Sequence, residues 1–399
     1  MSTPAQYSAG HRFAALDGWR GVCALLVALL HFHATGHLQE WGIVQNAHLF
    51  VDFFFVLSGF VLSFAYLDRL KDGGSFVFIM WRRLARLWPL HAFILAAFVL
   101  LELAVPVVSS MTGLARGSGG VPGEASASWS TIVSNFLLLH GLGIHDRLTW
   151  NFPSWSISTE FWTYLVFGFV ALSGSRFVSW IGALLALAGV LVVAACSTNY
   201  IDTTYDYGFF RCLYGFFVGH LVYRLMSLRA WRITGATCVE LGSIVLVAAY
   251  VAFLGDTAWS LAAPIVFGAV VFVFGQERGA VSGLLGTRPF LALGAWSYSI
   301  YMVHSLVLAV MHRALNVLGR WLDVELITRT STAEGVAYTV SFGNALLMDA
   351  LSVVYLGVVI GLAALTWRFV EMPAQRWMNR RTPILKRSQG ALVVAHRQP

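Results

Sequence analysis

Long apolar runs separated by short polar breaks dominate the chain. They fall near residues 17–35, 49–67, 88–108, 154–173, 177–196, 208–226, 235–254, 259–275, 290–313 and 346–370. A helix needs roughly 20 residues to cross a ~30 Å hydrocarbon layer, so the pattern predicts about ten transmembrane helices and an all-α polytopic bundle. A further run, "TIVSNFLLLHGLG" from Thr131, is too short to cross and is expected to be re-entrant or interfacial. The stretch "GLARGSGGVPGEASAS", Gly113 to Ser128, is expected to be a flexible external loop. There is no internal repeat. The longest pieces outside the spans are 109–153 and 314–345, which leaves no room for a separate soluble domain.

Composition agrees with the pattern. Of 399 residues 58% are apolar and 11% charged, and the mean hydropathy is +0.72, outside the range of soluble globular proteins. A net charge of +7 would point to nucleic acid in a soluble chain, but here the basic residues gather in certain loops. They are Arg69, Lys71, Arg82, Arg83 and Arg86; Arg176; Arg224, Arg229 and Arg232; Arg278 and Arg288; and Arg376, Arg380, Arg381, Lys386 and Arg387. Ten spans with both termini cytoplasmic put all of these inside, as the positive-inside bias requires, whereas counting the short run as a span sends the later ones outside. Nucleic acid is therefore not an expected partner. The four cysteines sit in apolar stretches without metal-like pairing and read as small buried hydrophobes. No small-residue cleavage site follows the first apolar run, which is expected to stay as the first span. The expected division is a membrane domain over 13–378 and a basic cytoplasmic tail over 379–399.

Ionisable groups inside a bilayer cost about 2.5–3.5 kcal/mol each on insertion scales, which makes each of them a functional candidate against a structural ion pair as the plain alternative. In "RGVCALLVALLHFHATGH", Arg20 and His31 are eleven residues apart, about 16 Å along a helix. Arg20 then lies at the cytoplasmic face and His31 in the outer half, where a neutral imidazole suits a general base toward a hydroxyl. His33 points to a different face and is expected to be structural. In "WRRLARLWPLH", Arg83 and Arg86 are one turn apart at the cytoplasmic mouth of the third span, a fork suited to phosphate or a plain topological anchor.

In "PSWSISTEFW", Glu160 lies five or six residues in from the outside, and His304 in "SYSIYMVH" lies at a depth similar to His31. A carboxylate beside an imidazole fixes its tautomer, so Glu160, His31 and His304 are expected to gather, with Tyr301 one turn before His304 and Arg211 as a possible partner of Glu160. "HLFVD", His48 to Asp52, matches the HxxxD pattern of soluble acyltransferases, which is too short to carry weight; Asp52 is at most a supporting residue.

Several stretches together resemble the integral-membrane acyltransferase-3 family of the O-antigen and exopolysaccharide O-acetylase type. They are "LDGWRGVCALLVALLHFH" with Arg20 and His31 in Arg-x10-His spacing, "VDFFFVLSGFVLS" with Phe54, Phe55, Ser58 and Gly59, "RRLARLWPLH" with Arg83 and Arg86, "PSWSISTEFW", "SYSIYMVH" and "WRFVEMPAQRW". The resemblance runs from Leu16 to Trp377. It implies a bundle of about ten helices in the cytoplasmic membrane of a bacterium. It also implies transfer of an acyl group, most often acetyl, from cytosolic acyl-CoA to a carbohydrate or glycoside hydroxyl at the outer face. His31 would be the base, with Arg20, Arg83 and Arg86 at the donor. This chain has no length for the esterase-like domain fused to some members, and it departs from the pattern at Thr159 and Met372. No metal or resident cofactor is expected, because a thioester is already activated; acyl-CoA is a co-substrate. Two rival readings keep the bundle. A transporter of a small anionic or glycan-type substrate calls for repeats between the halves, and a structural or signalling partner would use its buried charges for helix packing alone.

Overall fold

The computed structural model describes residues 11–70, 73–112, 128–228, 231, 233–332 and 335–381. Most of the expected loop at 113–128 and of the expected tail at 379–399 lies outside them, as do Lys71, Arg229, Arg232, Lys386 and Arg387. Among the described residues, ten helices carry the ten apolar runs. They are α1 (Ala14–His31), α2 (Phe50–Tyr66), α3 (Gly73–Thr112), α4 (Trp155–Leu172), α5 (Ser175–Cys196), α6 (Gly208–Leu228), α7 (Ala236–Leu254), α8 (Ala263–Phe274), α9 (Arg288–Leu322) and α10 (Ala345–Thr366). By length and composition, seven stretches, built on α1, α2, α3, α5, α7, α9 and α10, are able to cross a membrane. The apolar side chains that these helices leave exposed, such as Leu184, Leu187 and Leu191 on α5 or Val245 and Phe253 on α7, suit lipid contact. The protein is an all-α, multi-pass membrane bundle. Its short run near Thr131 is a helix of only eight residues, Trp129–Phe136, followed by turns.

Close helix approach rests on glycine. Gly21 on α1 faces Leu293 and Gly294 on α9, and Gly294 in turn faces the Asp17 carbonyl, so a side chain at either position would collide with the partner's backbone. This contact sets α1 and α9 side by side and running the same way. Ten residues on from Gly21 comes His31, and ten on from Gly294 comes His304. Equal rise of ~15 Å on two parallel helices then delivers both imidazoles to the same depth.

Two boundaries near the site differ from the expected spans. Helix α1 stops at His31 and does not continue to residue 35, because the chain turns away there. Phe32 stacks on Tyr355 at 4.8 Å, and residues 33–35 pair with a strand. That strand belongs to an antiparallel hairpin of β1 (Ile327–Thr332) and β2 (Gly335–Val340) inside the expected 314–345 loop. Val340 N donates to His33 O at 2.9 Å, and Thr35 N donates to Val340 O at 3.2 Å. Helix α3 starts at Gly73, so Arg83 and Arg86 lie on a continuous helix with Pro89 inside it, where a span from residue 88 was expected.

Candidate active site

Where α1 begins, the structure forms a cleft of about 360 Å³ lined by Arg12, Arg20, Arg82, Arg83 and Arg86, with Asp17 as its carboxylate. Gly294 and Ala295 of α9 and Trp367, Met372 and Gln375 close the other side. Excess positive charge between low-dielectric walls concentrates anions. The three arginines singled out by motif therefore do converge, but they do not form a parallel fork. Arg83 Nη2 donates to Tyr66 Oη at 3.2 Å and its guanidinium lies over the Tyr66 ring at 5.2 Å. Arg86 Nη1 turns the other way and donates to Glu371 Oε1 at 2.8 Å. Arg20 Nη1 is 3.4 Å from Asp17 Oδ1, whose other oxygen accepts from Arg12 Nε at 2.5 Å.

Motif reading missed Glu371 as a site residue. Its side chain is 1% exposed; Oε1 holds Arg86 and Oε2 accepts from Ser299 Oγ at 2.8 Å. It ends a turn of π-helix, Trp367–Glu371, between α10 and the terminal helix Met372–Arg380. Such turns widen a helix by one residue and recur at functional sites. The sequence sign was the polar "WRFVEMPAQRW" directly after an apolar run.

Glu160 does not pack against His31. It sits deeper between α2 and α4, where Oε1 accepts from Ser58 Oγ and from Tyr164 Oη at 2.6 Å. The Arg83 guanidinium lies over the Tyr164 ring at 6.0 Å. Ser58, Tyr164 and Glu160 thus form a polar group that leads inward from the cleft. The expected pairing of Glu160 with Arg211 is not found. Arg211 instead binds Asp52, Nη2 to Oδ2 at 2.8 Å and Nε to Oδ1 at 3.1 Å, and donates to His48 O at 3.0 Å and Thr203 O at 3.2 Å. Both partners are almost fully buried, at 1% and 0% exposed. The reason is register: Asp52 is in the first turn of α2 and Arg211 in the first turn of α6, so the two meet at one end of the bundle. The HxxxD aspartate is thereby consumed in a structural ion pair.

His31 and His304 do meet. Their rings stack with centroids 5.1 Å apart and planes 28° apart, and Phe152 closes over them at 4.8 Å and 5.8 Å. His31 Nδ1 lies 2.8 Å from Val27 O, and a carbonyl oxygen only accepts, so Nδ1 carries the proton in the neutral ring. Nε2 then keeps a lone pair, and it has no protein partner among the described residues. His304 repeats the arrangement with Ile300 O at 3.3 Å. One turn earlier, Tyr301 Oη sits between Ser156 Oγ at 2.8 Å and Pro153 O at 3.0 Å and fixes the start of α4 against α9. His33 lies past the helix end with its side chain exposed.

Comparison with known proteins gives a consistent picture. A family model described as an acyltransferase domain matches residues 13–363. The chain is 27% identical over 405 residues to "Acyltransferase MdmB" of Streptomyces mycarofaciens, covering 94% of each protein. It is 34% identical over 155 residues to "Protein 2 in picA locus" of Rhizobium radiobacter, covering 37% of this chain and 77% of that protein. No solved structure is significantly similar.

Proposed function

This chain belongs to the membrane acyltransferase-3 family, and on that premise we propose that it takes an acyl group, acetyl in the simplest case, from cytosolic acyl-CoA and esterifies a carbohydrate or glycoside hydroxyl at the outer face. One observation carries the reading. The same helix, α1, presents Arg20 to an arginine cleft at one end and His31, with an open Nε2, at the other. Both termini are then cytoplasmic, and the membrane is the cytoplasmic membrane of a bacterium.

The chemistry follows from that geometry. Phosphates of the donor bind Arg20, Arg83 and Arg86, and the acyl-bearing arm runs inward along α1, past Ser58, Tyr164 and Glu160, over the ~16 Å to His31. His31 Nε2 removes the proton of the acceptor hydroxyl as its oxygen attacks the thioester carbonyl. The C–S bond breaks, the CoA sulfur takes the proton from the imidazolium, and an O-ester and free CoA result. The bond to Val27 O orients the base, and the stacked His304 and Phe152 exclude water from it.

In vesicles of known orientation, acetyl-CoA on the side of the arginine cleft should label an acceptor confined to the other side, and the opposite supply should fail. Labelling of an acceptor that shares the donor's compartment refutes the cross-membrane route. Arg83→Lys or Arg86→Lys should weaken acetyl-CoA binding about tenfold, because an ammonium lacks the planar fork that matches a phosphate, and added salt should weaken it further. Unchanged affinity in both variants reduces these residues to topological anchors.

A further inference from the structure

The wall of the arginine cleft that Trp367, Met372 and Gln375 supply is uncharged. These three residues lie beyond 13–363, the stretch that the family model matches. The π-turn Trp367–Glu371 explains how they come to share a wall. Its i→i+5 bonds bring residues five apart into line, so Trp367 and Met372 stand one above the other, and Gln375 follows a turn later in the terminal helix. In an unbroken α-helix, at about 100° per residue, Trp367 and Met372 would point roughly 140° apart.

This wall is tied to the rest of the bundle. Glu371, the last residue of the π-turn, is bonded to Arg86 and to Ser299, and Trp81 Nε1 on α3 donates to Met378 O of the terminal helix at 2.9 Å. Both α3 ties hold the uncharged wall at a set distance from the arginines. Trp367 and Gln375 are half-buried, and among the described residues neither side chain has a hydrogen-bond partner. A phosphate alone would use the arginines and leave Trp367, Met372 and Gln375 without a task. A purine uses all of them: its face stacks on the indole, the thioether packs against it, and the amide offers an acceptor and donors to its edge. Asn and Gln amides pair in this way with N6 and N7 of adenine.

We propose that Trp367, Met372 and Gln375 form an adenine subsite, so that the cleft holds the whole nucleotide of the donor, with its phosphates on the arginine wall and its base on this one. The protein then selects a free CoA thioester. An acyl group on the phosphopantetheine of a carrier protein has no adenine to offer. This rests on the acyl-transfer reading above and deepens it, by naming the residues that tell CoA from other thioesters.

Equilibrium binding to the full-length protein in detergent or vesicles tests this without an acceptor. The probes are CoA, 4′-phosphopantetheine, adenosine 3′,5′-bisphosphate, inosine 3′,5′-bisphosphate and ADP. Stacking of a base on an aromatic side chain is typically worth about tenfold in affinity or more. The parent should therefore bind CoA more tightly than 4′-phosphopantetheine, and Trp367→Ala should narrow that gap about tenfold, whereas Trp367→Phe should keep most of it. Inosine carries a carbonyl where adenosine carries its N6 amine. The parent should prefer the adenosine bisphosphate about fivefold, the worth of a hydrogen bond, and Gln375→Leu should lose the preference. This comparison of two ligands needs no variant, so it decides the matter even if Trp367→Ala fails to fold. An unchanged gap in a folded Trp367→Ala, or equal affinity of the parent for the two bisphosphates, overturns the adenine subsite. ADP bound as tightly as CoA makes the cleft a site for free nucleotide and overturns its assignment to the donor. A parent that binds no CoA overturns the acyl-transfer reading itself.

Discussion

Changing His31→Ala should abolish acyl transfer while acetyl-CoA still binds. Removal of a general base typically costs about 10²–10⁴ in rate, and here the remaining groups offer no substitute. His304 Nε2 is enclosed, and Glu160 is engaged by Ser58 and Tyr164. Donor affinity should survive, because the arginine cleft is at the far end of α1 and His31 contributes nothing to it. His31→Gln keeps a polar group of similar reach without a basic nitrogen, so it should be as inactive as the alanine variant. Turnover measured with saturating donor, together with equilibrium binding of acetyl-CoA, separates the two effects. Turnover within tenfold of the parent in either variant removes His31 from the role of base.

Asp52→Ala should destabilise the protein by about 3–5 kcal/mol, the cost of leaving a buried charge without its partner. Arg211 would then keep the carbonyls of His48 and Thr203, the Trp155 ring at 5.6 Å and the partly exposed Asp202, whose oxygen is 3.5 Å away. The double variant Asp52→Leu with Arg211→Met should recover most of that loss, since apolar replacement of a buried ion pair is often neutral. Thermal unfolding of the two single variants and the double variant completes the cycle. Transfer per folded molecule should be near the parental value in the double variant. A folded but inactive double variant means that Asp52 does chemistry, as the HxxxD pattern would have it.

Much of the architecture is legible in the apolar pattern, for a plain reason. Twenty consecutive apolar residues have few stable options in a bilayer, where every backbone N–H and C=O must be bonded within the segment. All ten apolar runs are therefore helices. The Arg-x10-His spacing is equally legible, because rise along a helix is a local property. With Gly21 and Gly294 it sets His31 and His304 at one depth. Ends of helices are less legible. That of α1 depends on a strand three hundred residues away, at Val340, and the apolar pattern alone runs on to residue 35.

By itself, then, the sequence determined the class of the protein, its apolar helices and the spacing that separates an arginine end from a histidine end. The tertiary structure decided the partners. Arg211 goes to Asp52 and not to Glu160; Arg86 goes to the unforeseen Glu371; Glu160 joins Ser58 and Tyr164 in place of the histidines; and a strand pairs with the segment that leaves His31. Residue counting gives depth along one helix to within a turn, but it carries no information on which faces two helices turn toward each other. That rotation is set by where glycines let backbones touch and by which buried charges must be neutralised, and both are properties of the packed bundle.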